Sequence, residues 1–178
     1  MDALLDSNVA ADIKAFASHW QSARSQTLIP SLPDYLNLPA FAQQKNTAIV
    51  DVLSPGVMRF RLFWTGLNEL SGVELTGDEV LANFDPSARS EAARIAWSAV
   101  QQPCGYLLQR TMTNARRETK ADGIGLPLLH PQSGRIGLVG FTSEVAKQAQ
   151  WVSSDDNLFV TAVKMGQWID IGAGVPAR

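Results

Sequence analysis

Apolar positions recur along the chain with two different periods, and the changes of period mark its elements. Over residues 8–24, Ile13, Phe16, Trp20 and Ala23 recur at helical spacing, with Asp12, Lys14, Ser18 and Gln21 on the opposite side, which predicts an amphipathic helix. Ser7 is a candidate cap for it. Pro30, Pro33 and Pro39 then bias the residues before them away from helix, so 29–39 reads as an extended linker. Over 47–53 and 57–64 the period falls to two. Ser54-Pro55-Gly56 lies between these runs and supplies the rigid and the permissive residue of a tight turn, so an antiparallel hairpin is expected. In its second strand Met58, Phe60, Leu62 and Trp64 alternate with Val57, Arg59, Arg61 and Phe63, which predicts an apolar face turned inward and a guanidinium face turned outward.

Short helices are expected next. Thr65 can cap a turn ending near Gly72, and Thr76-Gly77-Asp78-Glu79 spells a capping box for a helix reaching Phe84. Asp85-Pro86 opens a longer helix to about Gln101, with Ala88, Ala92, Ile95, Ala96 and Ala99 on one side for close packing on a sheet. Three more strands follow at 106–113, 120–129 and 135–142. The last two are separated by His130-Pro131-Gln132-Ser133-Gly134, a turn by composition. Residues 158–165 and 167–171 flank Gly166 as a further hairpin or as two extended segments.

The composition narrows the function classes. With 178 residues, 46% apolar and 18% charged, the chain buries one ordinary core, so one globular domain is expected and disorder is not. A net charge of −2 with scattered Lys and Arg gives no basic stripe for a phosphate backbone, so nucleic acid is not an expected partner. The longest apolar runs, such as 124–129, fall far short of the roughly 20 residues that cross a bilayer. Asp2 and Asp6 stand where a secretion signal would be basic. A cytoplasmic protein without a membrane partner is therefore expected. Cys104 is the single cysteine, which excludes an internal disulfide and a multi-cysteine zinc site.

Helix, two strands, two or three helices and three strands form an α+β order without the alternation of a nucleotide-binding fold. That order, with Trp20, the run Phe60-Arg61-Leu62-Phe63-Trp64-Thr65-Gly66, Leu75-Thr76-Gly77 and Leu126-Pro127-Leu128, resembles a family of short, mostly stand-alone PAS-like proteins found largely in alphaproteobacteria. The resemblance implies a five-stranded antiparallel sheet with helices on one face, plus a leading amphipathic helix. Residues 1–39 would form the helix and linker, 40–143 the PAS-like domain, and 144–178 an extension packing on or beside the sheet. It implies a sensory or regulatory module that binds a small apolar ligand, contacts other proteins, or does both. The expected pocket residues are Phe60, Leu62, Leu67, Leu70, Trp97, Leu126 and Leu128, with Arg61 as a polar candidate. Ile13, Phe16 and Trp20 are the expected interface, through which the leading helix would meet a second copy or a signalling partner.

Candidate chemistry adds little to this. Cys104 faintly echoes the reactive cysteine of flavin-binding photosensory domains, but it begins a strand and lacks their Asn and Arg neighbours, so a structural thiol is expected. His19 lies on a polar helix side and His130 in an expected turn, and neither spacing suits haem or a metal. Arg59 and Arg61 are expected to pair with a carboxylate, either on a ligand or on Glu118 of a neighbouring strand, the second as a cross-strand ion pair of small value. With no cofactor, metal or nucleophile–base set indicated, no enzyme is expected. The alternatives are a small cone-shaped α+β enzyme or carrier, with Glu69, Glu74 or Asp78 as its acid, and a purely structural dimerisation domain.

Overall fold

Six runs of strand-forming residues pair into one antiparallel sheet in a computed structural model of the chain, which describes residues 5, 8–40, 44–71, 73–113, 118–143 and 159–177. The strands are β1 (Thr47–Ser54), β2 (Val57–Phe63), β3 (Gly105–Thr113), β4 (Glu118–His130), β5 (Arg135–Thr142) and β6 (Phe159–Ile169). Their spatial order is β2-β1-β5-β4-β3-β6. Gly56 closes the first hairpin at a φ of 82°, a conformation that a Cβ would strain. The sheet has one strand more than the five expected. Gly166 does not break the last segment into two, because it is the extra residue where the β3–β6 register shifts between Leu107↔Gln167 and Leu108↔Met165. A bulge of this kind lets one strand run on past a glycine. β6 thereby pairs along the whole of β3, from Gly105↔Ile169 to Thr113↔Phe159.

Among the described residues four helices accompany the sheet: α1 (Ala11–Ser22), α2 (Leu32–Leu36), α3 (Thr65–Ser71) and α4 (Pro86–Gln101), with 3-10 turns at Gln44–Asn46 and Val80–Asn83. α4 starts as its sequence predicts: Asp85 Oδ1 accepts from the Ser87 backbone N–H at 2.9 Å, and Pro86 occupies the first turn, where no N–H is needed. α2 lies inside the expected extended linker. Its Pro33 also falls in a first turn, and Ser31 Oγ caps the Asp34 N–H at 3.2 Å. The capping box at Thr76 does not form. Thr76 Oγ1 accepts from the Phe63 N–H at 3.1 Å, and the chain runs beside β2, with Gly77 N–H to Phe60 O at 2.7 Å and Phe60 N–H to Asp78 O at 3.0 Å. The Thr76 N–H donates to Glu74 Oε1 at 2.8 Å in place of Glu79, and only the 3-10 turn follows.

Helices cover both faces of the sheet. α3, the second 3-10 turn and α4 lie on one face, here termed inner, and α1 and α2 pack on the outer one. The expectation that α1 reaches out to a partner is corrected here. Ile13, Phe16 and Trp20 are 2%, 0% and 1% exposed, buried against the chain's own Ile124, Leu126, Leu128, Val139 and Phe141. Phe16 stacks on Phe141 with ring centroids 5.2 Å apart. Trp20 Nε1 donates to the Pro127 carbonyl at 2.8 Å. Pro127 lies beyond Gly125, which pairs with Tyr106, so β3 no longer accompanies β4 there. The N-terminal segment satisfies the exposed edge: Leu129 N–H donates to Pro30 O at 3.0 Å. The outer apolar face is thus covered within one chain.

Candidate functional site

The site begins with the alternation of β3. Tyr106, Leu108, Arg110 and Met112 project to the inner face, and opposite Tyr106, Leu108 and Arg110 the register sets Gly125, Gly123 and Ala121 of β4. These positions are small because β3 occupies their space. A Cβ on Gly125 would overlap the Tyr106 ring, and one on Gly123 would come within 2.7 Å of Arg110 Nη2. On β5 the inner positions are Leu138, Gly140 and Thr142, and a Cβ on Gly140 would meet nothing closer than 3.9 Å. Small residues in the sheet floor leave volume that the helices do not fill.

The result is a cavity of about 180 Å³ between the sheet, α3, the Val80–Asn83 turn and α4. Most of its wall is apolar, with Val50, Met58, Phe60, Phe63, Leu67, Val80, Phe84, Ile95, Leu108 and Leu138. Four polar side chains interrupt it: Asn83, Tyr106, Arg110 and Thr142. Arg110 Nη2 donates to Thr142 Oγ1 at 2.6 Å, while its Nε is buried without a hydrogen-bond partner. No carboxylate stands among the described lining residues. Burial lowers the Arg110 pKa and the nearby Tyr106 opposes that shift; the guanidinium keeps its charge. Burial pushes the Tyr106 phenol up to about 12, with Arg110 opposing and Cys104 adding.

A family model for the PAS domain matches residues 9–141. This chain belongs to the PAS domain family. No curated protein and no solved structure gives a significant match. The matched span of the PAS domain runs from just before α1 into β5, so the outer-face helices lie within it and β6 lies beyond it.

Of the residues expected to line a pocket in this PAS domain, Phe60 and Leu67 do so. Leu62 does not. The β1–β2 register passes from Ile49↔Leu62 to Val50↔Phe60, leaving Arg61 as an extra residue. That bulge turns Leu62 to the outer face, against its apolar cluster, and returns Phe63 to the inner one. Leu126 and Leu128 also pack on the outer face, because the glycines of β4 take the inner positions. Trp97 is part of the inner apolar layer without lining the cavity. The side chain of Leu70 lies outside those described. Arg61 does not line this cavity: it is half exposed and binds Asp51 through Nε and Nη2, each at 2.9 Å, where Glu118 had been expected. Arg110, Tyr106, Thr142 and Gly140 were missed. Their signal was present as an arginine on the apolar side of β3, facing a strand with glycine at alternate positions.

The remaining candidates occupy structural positions. Cys104 is fully buried, and burial, then Asp170, push its thiol up to about 11, which leaves little thiolate near neutrality. His130 ends β4 and is 7% exposed, where a turn had been expected. Its Nε2 lies 3.2 Å from Asp51 Oδ1 without hydrogen-bond geometry, and burial lowers its pKa, with Asp51 opposing and Arg61 adding. His19 meets Tyr35 edge-on at 5.4 Å. Glu74 is exposed and held low by hydrogen bonds from Thr76, then Asn68. Among the described residues no group of three or more His, Cys, Asp or Glu can hold a metal ion, and no helix is long and apolar enough to cross a membrane.

Proposed function

We propose that this PAS domain is a sensory or regulatory module that takes a small, mainly apolar ligand into the cavity on the inner face of its sheet. The observation that carries this reading is the volume left around Gly140, about 180 Å³ with a mainly apolar wall. An engineered apolar cavity of about 150 Å³ holds benzene, so a ligand of one ring or a short chain fits. The wall that such a ligand touches includes Leu67 of α3 and Val80 and Phe84 at the 3-10 turn, so its contacts extend beyond the sheet to these short elements. No described lining residue is a His, Cys, Asp or Glu that would act as base or nucleophile, which favours binding over turnover.

The test compares native mass spectra of the full chain and of Gly140→Leu, both purified from the host cytosol and then exposed to a panel of small aromatic and aliphatic compounds. The leucine fills the open space above residue 140. Retention or uptake of a compound by the parent and its loss in Gly140→Leu is the expected result. A parent that carries nothing and takes up nothing overturns the reading.

A further inference from the structure

Three of the cavity's four polar side chains lie on the β3 and β5 part of its floor and can donate; the fourth, Asn83 of the 3-10 turn, donates its Nδ2–H to the Glu79 carbonyl at 3.4 Å. Arg110 Nη2 donates to Thr142 Oγ1 at 2.6 Å. The threonine oxygen is thereby used as an acceptor, and its own O–H remains free to donate. Tyr106, two residues from Arg110 on the same face of β3, adds a phenolic O–H. Arg110 Nε is buried and makes no hydrogen bond. Of the described lining residues Arg110 alone carries a charge. A guanidinium in an apolar wall without a counter-ion is costly unless something offsets its charge. An apolar side chain of similar volume would have filled the same position without that cost.

Resting on the cavity reading above, we infer that the ligand is a small monoanionic carboxylate whose head sits on Arg110, with Thr142 and Tyr106 as further donors and its apolar body under α4. The donor set selects this head. A planar carboxylate accepts two hydrogen bonds from an arginine fork, and one cation balances one negative charge. A phosphate monoester brings close to two charges at neutral pH and would find only one cation among the described lining residues. Neutral heads leave the guanidinium uncompensated.

Isothermal titration with two matched pairs, benzoate against benzamide and hexanoate against hexanamide, separates head from body. The proteins are the full chain, Arg110→Met and Gly140→Leu. At least tenfold tighter binding of each carboxylate than of its amide is expected in the parent. Arg110→Met should erase the difference while still binding the amides, and should melt no lower than the parent because it removes a charge that no described lining residue balances. Gly140→Leu should bind none of the four. On adding benzoate, the Arg110 Nε–H resonance should move in the nitrogen–proton spectrum of the parent. Equal affinity for acid and amide in the parent, or a preference that survives in Arg110→Met, overturns the carboxylate inference and leaves the cavity reading standing. Binding of none of the four compounds by the parent overturns both.

Discussion

Along β4 the large residues Ile124, Leu126 and Leu128 face α1, whereas Ala121, Gly123 and Gly125 face the other way. The same thirteen-residue strand therefore serves two surfaces of different character. On the outer face, leucine, isoleucine and phenylalanine interlock with Phe16 and Trp20 until nothing of those rings is left to solvent. On the inner face, glycines admit Tyr106 and Arg110 from the neighbouring strand, and a void remains above Gly140. Close packing stabilises, and volume left unpacked forgoes dispersion contacts. The contrast separates a face that holds the domain together from a face able to receive something.

That contrast is sharpest at Trp20. Truncation to alanine removes a fully buried ring and its bond to the Pro127 carbonyl, so Trp20→Ala should cost about 3–5 kcal/mol in urea unfolding. A loss below about 1 kcal/mol would show that the outer face is not the stabilising one. Gly125→Ala comes next. Its methyl overlaps the Tyr106 ring, and the strain of overpacking should cost about 1–3 kcal/mol, whereas Gly140→Ala, with no atom within 3.9 Å, should leave the melting temperature nearly unchanged. Equal losses at both glycines would contradict the void.

A smaller effect is expected from acid. Burial depresses the pKa values of His130 and His19 below the ordinary 6.5, so the unfolded chain binds more protons than the folded one just below that pH. Stability should be fully present above pH 6.5 and fall as pH drops through the depressed values. His130→Gln should flatten part of the slope in a series of thermal melts between about pH 7 and 5. Arg61→Ala should matter least. Its pair with Asp51 is half exposed, so a change within about 1 kcal/mol is expected, with no effect on benzoate affinity. An altered affinity would restore Arg61 to the site.

What the sequence made legible follows from how local each signal is. Asp85-Pro86 starts α4, Pro55-Gly56 closes the first hairpin, and the first five strands fall within a few residues of their expected bounds, because caps, turns and alternation act over neighbouring residues. Which way a side chain faces was less legible. The bulge at Arg61 and the seating of Tyr106 over Gly125 are properties of strand pairing, so Leu62, Leu126 and Leu128 were assigned to the wrong face. Large apolar residues were assumed to line the cavity of a PAS domain, yet small ones make the room. Arg110 was passed over because a charged residue in a strand is usually solvated, and its place in the cavity wall depends on a partner strand and a helix distant in sequence.

The bond from Trp20 to Pro127 has a consequence for the order in which the protein is made. The two residues are 107 positions apart, and at about 5–20 residues per second of synthesis the apolar stripe of α1 exists for on the order of ten seconds before β4 can cover it. The helix that finally seals the outer face thus emerges well before the strands it packs on, and the nascent chain presents Phe16 and Trp20 to whatever surrounds it in the interval.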